Sequence, residues 1–173
     1  MNDTFKILAI DPSGNFTEGK GTTGWSLLNF DGKIIACGQI LASSFNTKIY
    51  YWNAIVNQIT ILNPSFVVVE DFLLYASKAT NQINSRFETS KLIGILEFIC
   101  GQNQIPIYLQ KAADVKKRWT DQILVAENII EKIGSHYYAG GVLTSEHIRD
   151  SIRHGTHFIR YKLPKILIER KLI

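Results

Sequence analysis

The segment KILAIDPSGNFTEGKGTTGWSLL, residues 6–28, contains two apolar runs separated by a polar loop. The first run is short, ends at the carboxylate of Asp11 and is followed by Pro-Ser-Gly. This composition is typical of a buried strand that ends in a loop. The second run predicts another strand directly after that loop, so an aspartate is expected at the carboxyl end of a strand in the core.

The rest of the chain alternates between helical and strand patterns. Further strands are predicted over residues 23–30, 33–41, 65–70 and 105–109, helices over 46–62, 86–101, 121–133 and 144–159, and a loop over 134–141. Asp31-Gly32 predicts a two-residue hairpin. Three consecutive strands followed by alternating helices and strands predict an α/β fold with a mixed sheet. We expect one domain over 1–173, with a basic C-terminal extension from about residue 159.

Composition narrows the class of protein. A length of 173 residues suits one domain with a sizeable core. With 46% hydrophobic and 20% charged residues, the sequence is typical of a soluble globular protein. It contains no apolar run long enough to span a membrane, and we expect no membrane partner. Cys37 and Cys100 lack metal-site spacing and indicate reduced thiols in an intracellular protein.

Positive charge is concentrated in two segments. KAADVKKRW, residues 111–119, holds four cations and one acid, and RYKLPKILIERKLI, residues 160–173, holds five cations and one acid. Each segment alone is equally consistent with a solvated surface. The interleaved aromatic residues Trp119 and Tyr161 favour contact with phosphates.

Two predicted strands end in carboxylates, Asp11 and Glu70. If both strands are central and parallel, both carboxylates lie at the sheet edge where open α/β sheets bind ligands. Two carboxylates that meet there repel each other unless a cation lies between them. Oxygen ligands of this kind suit Mg²⁺ or Mn²⁺. The alternative is that each acid caps a nearby helix or loop.

A third acidic element is the segment SEHIRDSIRHGTHF, predicted to open a helix with Ser145 as its N-cap. Glu146 and His147 lie on the same side of this helix as Asp150, because they precede it by four and three residues. They are candidates to lie over the same sheet edge. The alternative is an exposed helical face whose acids pair with the neighbouring arginines. The later histidines, His154 and His157, are expected to be surface or packing residues.

The ordered set of motifs resembles the RuvC-type Holliday junction resolvases, which have the RNase H-like fold of the retroviral integrase superfamily. The matching motifs are AIDPSG followed by GTTGWSLL, VVVE up to Glu70, SKLIG at 90–94, Val115-Lys116, and His147, Asp150 and Ser151 in the last helix. The resemblance covers nearly the whole chain in the family's order. It implies a five-stranded mixed sheet of order 3-2-1-4-5 flanked by helices.

The resemblance also implies an active site. Its metal ligands would be Asp11, Glu70, His147 and Asp150, with Glu146 as a possible replacement for His147. Two Mg²⁺ ions per site are expected, with Mn²⁺ as a substitute, and Lys116 would complete the catalytic set. The reaction would be paired, metal-dependent nicking of Holliday junctions or of other branched DNA such as forks and flaps.

Contacts with DNA and with a second subunit are further expectations. Residues expected to bind DNA are Phe72, Tyr75, Lys78, Lys91, Lys111, Lys116, Lys117 and Arg118. An aromatic after Glu70 would insert into the junction, although Phe72 packing in the core is an alternative. The helix over 86–101 is apolar on nearly all sides, so it is the candidate interface of a homodimer. The alternative is a helix sandwiched within one subunit.

Several departures from the family pattern indicate a divergent branch, with a phage-encoded one as a candidate. The first loop is about six residues longer, KRWTD replaces the usual residues after Lys116, and the tail extends beyond Phe158. The expected location is the cytoplasm, that of a bacterial host for a phage protein. Two other functions stay open. One is a non-catalytic junction-binding module; the other is an actin/Hsp70-type nucleotide phosphotransferase, which needs two copies of the fold.

Overall fold

The computed structural model describes residues 5–72 and 87–169, apart from the side chain of residue 18. A five-stranded sheet in the order β3-β2-β1-β4-β5 forms the centre of the fold. Its strands are β1 Lys6–Asp11, β2 Thr22–Asn29, β3 Ile34–Leu41, β4 Phe66–Asp71 and β5 Ile107–Lys111. β1, β4 and β5 run parallel, whereas β2 and β3 are antiparallel to their neighbours. The predicted α/β fold and strand order are confirmed.

Six helices follow or flank the strands in the part of the chain described. They are α1 Lys48–Leu62, α2 Glu88–Gln102, α3 Ala112–Lys116, α4 Asp121–Ala126, α5 Glu146–Tyr161 and α6 Leu163–Glu169. Short 3₁₀ turns occupy Thr17–Gly19 and Ala42–Ser44. The side chain of Thr47 caps α1, and Asn63 ends it in a left-handed conformation, φ 44°.

The sheet is buried on both faces, which explains why its central strands are apolar without alternation. Leu8 and Ile10 of β1 face α1 and α2, while Ile7 and Ala9 face α5 and α6. Helix α5 lies so close to the sheet that a Cβ on Gly155 would be 2.5 Å from a methyl group of Leu28. The sheet therefore fixes the position of α5, which carries the third acidic element.

The helix predicted over 121–133 is wrong beyond Ala126. Asn128 adopts a left-handed conformation with φ 56°, and the amide of Ile129 bonds back to the Leu124 carbonyl, which ends α4. The loop predicted over 134–141 is also wrong. A three-stranded antiparallel sheet follows instead, formed by β6 Glu131–Ile133, β7 His136–Ala139 and β8 Val142–Leu143. Glycines with positive φ at 134, 140 and 141 form its tight turns.

Two smaller predictions also need correction. The β2–β3 hairpin has a three-residue loop, not two, because the amide of Gly32 bonds to the Asn29 carbonyl over 3.0 Å and Asn29 pairs with Lys33. Gly32 supplies the positive φ of 85° that this loop requires. Strand β5 begins at Ile107 and not at residue 105.

The described part of the basic C-terminal segment, up to residue 169, packs against the core. Helix α5 continues to Tyr161, and α6 buries Leu163 and Leu167 beside Phe158 and the sheet. Trp119, taken in the sequence as a possible nucleic-acid contact, is buried in a separate apolar cluster. Among the described residues, no helix combines the length and apolar character needed to cross a membrane.

Candidate metal centre

Three carboxylates meet at the carboxyl edge of the central sheet. Asp11 ends β1, Glu70 lies at the end of β4, and Asp150 projects from the first turns of α5. One carboxylate oxygen from each lies within 4.8 Å of the others. The two strand ends meet because β1 and β4 are parallel neighbours, as the sequence predicts.

The loop after Asp11 is held by hydrogen bonds on both sides. The hydroxyl of Thr23 accepts from the amide of Ser13 over 3.0 Å, and the hydroxyl of Tyr51 donates to the Ser13 carbonyl over 2.9 Å. The amide of Gly14 donates to the hydroxyl of Thr89 in α2 over 3.1 Å. These contacts hold the backbone at Ser13 and Gly14, directly after Asp11. The additional residues of this long loop therefore follow Gly14 and do not displace Asp11.

Gly24 lets the start of α5 approach the sheet. It pairs with Asp11 across β1 and β2, and a Cβ built on it would lie 2.1 Å from the carbonyl oxygen of His147. No side chain fits into that space. The second glycine of the GTTG motif therefore sets the distance between Asp11 and the helix that supplies Asp150.

Cations surround Asp150. Its carboxylate contacts the guanidinium of Arg153, which also contacts Asp121 at the start of α4, and Arg149 donates to Asp121 over 3.0 Å. The Nζ of Lys116 lies 2.7 Å from Asp150 Oδ2 and 3.3 Å from Glu70 Oε2. Lys116 thus bridges two of the three carboxylates, which the sequence did not predict.

Glu70 has a second partner, His154. This imidazole is completely buried, with Nε2 lying 3.0 Å from Glu70 Oε2 and Nδ1 lying 3.0 Å from the amide oxygen of Gln110. Because a carboxylate only accepts, Nε2 carries the hydrogen. If the Gln110 amide is turned so that its nitrogen faces Nδ1, a neutral imidazole satisfies both contacts.

The sequence did not predict the contact of His154 with Glu70. His154 is nevertheless a packing residue, one of the two environments expected for it. It positions Glu70 from a site that is buried in the sheet–helix interface. The available signal was its spacing: His154 follows Asp150 by four residues and so lies on the same face of α5. Nothing in the sequence placed Glu70 or Gln110 beside it.

The carboxylates perturb each other's pKa values. Burial raises the pKa of Asp11, the hydrogen bond from His147 opposes this shift, and the charge of Glu70 adds to it. Burial alone would raise the pKa of Glu70 as well, but the hydrogen bond from His154 and the charge of Lys116 lower it overall. Burial opposes protonation of Lys116, but its hydrogen bond to Asp150 and the nearby carboxylates raise its pKa.

His147 and Glu146, the alternatives for a fourth ligand, differ in position. Nδ1 of His147 lies 2.7 Å from Asp11 Oδ2, and this hydrogen bond raises the pKa of His147. Glu146 is exposed at the first position of α5. Neither belongs to the group of carboxylates that lie within 4.8 Å of one another. Ser145 caps the helix as expected, accepting from the amide of Ile148.

The residues expected to bind DNA occupy different environments. Phe72 packs partly against the core beneath α1 and α2, which matches the alternative considered for it. Tyr75 and Lys78 lie outside the described residues. The other residues expected to bind DNA, apart from Lys116, are exposed: Lys91, Lys111, Lys117 and Arg118. The Nζ of Lys91, whose side chain is exposed, lies 3.8 Å from the half-buried carboxylate of Glu88.

The chemistry of this cluster fits a hard divalent cation. It offers three carboxylates and a nearby imidazole, and carboxylates suit Mg²⁺ and Mn²⁺. Burial raises the pKa of Asp11, and the nearby negative charges add to this shift, so a bound cation would relieve their repulsion. In the structure, the ammonium group of Lys116 partly relieves this repulsion between the carboxylates. The acidic cluster, Asp11, Glu70 and Asp150, is therefore a candidate metal centre.

The fold is shared with a solved structure of RuvC. The chain superposes on Thermus thermophilus RuvC in complex with a Holliday junction substrate with a TM-score of 0.64, covering 92% of this chain and 96% of that one. The sequence identity is 15%. The sequence matches no protein-family model and no curated protein. The chain thus has a RuvC-like, RNase H-like fold, and its function must be argued from the site.

Proposed function

We propose that this chain is a divalent-metal-dependent endonuclease that nicks branched DNA, with four-way junctions as its main substrate and forks or flaps as further candidates. The observation that carries this proposal is the acidic cluster, three carboxylates within 4.8 Å at the end of parallel strands. Its support is the likeness in fold to a RuvC that was solved with a Holliday junction substrate. Acting on DNA would place the protein inside a cell.

The acidic cluster would hold the metal, and the residues around it would control the geometry. Divalent ions, two Mg²⁺ or Mn²⁺ per site, would neutralise the scissile phosphate and activate a water for in-line attack. His154 and Arg153 orient Glu70 and Asp150. Hydrogen-bonded partners of this kind tune metal ligands.

Lys116 would exchange partners during the reaction. Its ammonium group bridges Asp150 and Glu70, so its contacts must weaken when a cation binds between those carboxylates. The side chain is 40% exposed at the end of α3 and can turn toward solvent. We infer that Lys116 then donates to the phosphate of the DNA.

A homodimer would supply the two sites that paired nicking requires. On α2, Leu92, Ile93 and Leu96 are buried, while Phe98 is 63% exposed and Ile95 is exposed on the opposite face, as far as the described residues show. A C2 dimer through this face would cover those side chains.

The dimer can be tested by sedimentation. Phe98→Asp should convert the protein to monomers, because a charge in an apolar interface has no partner. The matched control is Ile168→Asp on α6, which is also 63% exposed. A dimer that survives Phe98→Asp would reject this interface.

The reaction can be tested with labelled four-way junction and linear duplex, incubated with protein in Mg²⁺, Mn²⁺ or EDTA. We expect paired nicks in the junction, sparing of the duplex and no cleavage in EDTA. Asp11→Asn should abolish cleavage and preserve junction binding, because it removes a metal ligand and no cation. Cleavage that persists in EDTA or in Asp11→Asn would contradict the proposal.

Tight binding of the junction without cleavage in either metal would instead favour the non-catalytic module. The acidic cluster argues for the enzyme, because a module that only binds DNA gains nothing from three clustered acids beside a phosphate.

A further inference from the structure

A basic groove lies between α3, α5 and α6, outside the acidic cluster. It consists of two adjoining depressions that share Arg118 and His157 as lining residues. Its positively charged or basic lining residues are Lys117, Arg118, His157, Arg160, Lys162 and Lys165. Asp114 is the acidic residue in this lining. The groove brings cations from the two basic segments of the sequence onto one surface, two from residues 117–118 and three from residues 160–165.

Apart from Arg160, the cations of the groove form no ion pair with a carboxylate among the described residues, unlike the cations of the acidic cluster. Within the described parts of the chain, Lys117, Lys162 and Lys165 form no ion pair. Arg160 contacts Glu127 over 3.4 Å in an exposed pair, which is worth little. The fold therefore leaves this positive charge for a ligand.

Two further contacts shape the groove for an oxyanion. The guanidinium of Arg118 lies 4.5 Å above the ring centroid of Tyr161, which restrains its planar fork of donors. Phosphate oxygens accept such forked hydrogen bonds well. Nδ1 of His157 is buried in the wall and has no hydrogen-bond partner among the described residues. The wall thus contains a polar atom that the fold does not satisfy.

The groove and the acidic cluster are lined by residues from the same face of α5. Asp150, His154, His157 and Tyr161 follow one another at spacings of three or four residues and so share that face. The helix rise places Tyr161 about 17 Å from Asp150 along the axis. Duplex DNA rises by about 3.4 Å per base pair, so this distance corresponds to about five base pairs.

We propose that the basic groove binds the phosphate backbone of a duplex DNA arm, about five base pairs from the scissile phosphate. This inference rests on the proposed function for the position of the nick, and it names the arm of the substrate that the protein holds. The occupant is duplex DNA and not another polyanion, because Lys116 at the scissile site and Lys117 in the groove are adjacent residues.

The test compares two double variants with equal loss of charge. Lys162→Gln/Lys165→Gln removes two exposed cations from the groove, and Lys33→Gln/Lys132→Gln removes two exposed cations outside it. Binding of a long-armed junction is measured by fluorescence anisotropy over a range of salt concentrations in EDTA. The slope of log K against log [salt] should fall by about 1.8 in the groove variant, about 0.9 per lost phosphate contact. It should not change in the control.

Hydroxyl-radical footprinting then locates the contact. The unmodified protein should protect backbone about five base pairs from the nicked phosphate, and the groove variant should lose that protection. Equal slopes in the two variants, or an unchanged footprint, would overturn the inference. Weaker binding of the groove variant to phosphatidylserine vesicles with an unchanged DNA slope would overturn it in favour of a membrane.

The two proposals can fail separately. If the unmodified protein does not cleave but its salt slope and footprint depend on the groove, the groove inference holds and the nuclease proposal fails. If the unmodified protein cleaves and the groove variant binds like the control, the nuclease proposal holds and the groove inference fails. Thermal unfolding of all variants checks that the exposed substitutions leave the fold intact.

Discussion

Lys116 and Lys117 are adjacent in the chain but belong to regions with opposite arrangements of charge. Lys116 lies between Asp150 and Glu70 in the acidic cluster, whereas Lys117 lines the basic groove and has no ion pair among the described residues. In the acidic cluster every charge already has a partner, so activity requires partners to be exchanged. In the basic groove binding displaces only water and salt ions. Substitutions in the acidic cluster should therefore change the rate of cleavage. Substitutions in the basic groove should change the affinity for DNA.

The largest effect should come from Asp150→Asn. Loss of hydrogen-bonded partners around a metal ligand costs about 10–100-fold, so loss of the ligand itself should reduce cleavage by more than about 100-fold. Junction affinity should stay within a few-fold, measured by anisotropy in EDTA. The control is Asp71→Asn, which removes a carboxylate next to Glu70 at the end of β4 but outside the acidic cluster. Equal rates for Asp150→Asn and the control would contradict the metal assignment.

His147→Ala should have the next largest effect, a loss of about 100-fold in cleavage, at the upper end for groups that support a metal. His147→Asp should retain most activity, because a carboxylate also ligates Mg²⁺. Glu146→Ala should change little. Single-turnover cleavage rates distinguish the variants. An inactive Glu146→Ala beside an active His147→Ala would assign the fourth ligand to Glu146.

The same variants predict a dependence on pH. The hydrogen bond to Asp11 raises the pKa of His147, so the imidazole keeps its proton to a higher pH and cannot bind metal while protonated. Cleavage should therefore fall as pH is lowered through the raised pKa of His147. In His147→Asp this loss should move to lower pH. A pH–rate profile that is identical in the two proteins would exclude His147 as the titrating group.

His154→Ala should reduce cleavage by about 10–100-fold, because Glu70 loses the partner that orients it. His154→Gln can keep one hydrogen bond and should recover part of the activity. Calorimetric titration with Mn²⁺ in the absence of DNA should show the weakest metal binding in His154→Ala and intermediate binding in His154→Gln. His136→Gln, an exposed histidine on β7, is the control. Unchanged Mn²⁺ affinity in His154→Ala would make this residue structural.

The smallest effect should come from Glu127→Gln, and it should have the opposite sign. This substitution removes the acid paired with Arg160 and so releases a cation into the basic groove. Because exposed pairs contribute about 0–1 kcal/mol, junction binding should tighten by no more than about fivefold, with the cleavage rate of bound DNA unchanged. Weaker binding in this variant would show that Glu127 supports the groove.

The sequence predicted what depends on neighbouring residues and missed what depends on distant ones. The strands and the carboxylates at their ends followed from apolar runs that stop at an acid, whereas the order of the strands in the sheet followed from the resemblance to the RuvC-type family. The role of His154 could not be predicted, because its partner Glu70 is 84 residues away in the chain. The sheet β6–β8 was missed because the apolar pattern of α4 continues past Ala126, where the left-handed Asn128 ends the helix.

The basic C-terminal segment is another feature that the sequence predicted only in part, because its packing depends on distant residues. Its charge was visible in the sequence, but the burial of Leu163 and Leu167 was not. Removing the tail would take these side chains out of the core, which costs about 2–5 kcal/mol for each large apolar residue. Substitution of single exposed lysines therefore tests the groove better than truncation does.

Gly24 has a consequence for how this scaffold tolerates sequence change. A methyl group there would lie 2.1 Å from the His147 carbonyl oxygen, whereas real Cβ atoms stay beyond 3.0 Å, so alanine would force the start of α5 outward by about 1 Å. Displacements of about 1 Å can cost about 100-fold in rate even when no reacting group is altered. Libraries built on this scaffold should hold residue 24 constant, or vary it deliberately to adjust ligand spacing without replacing any ligand.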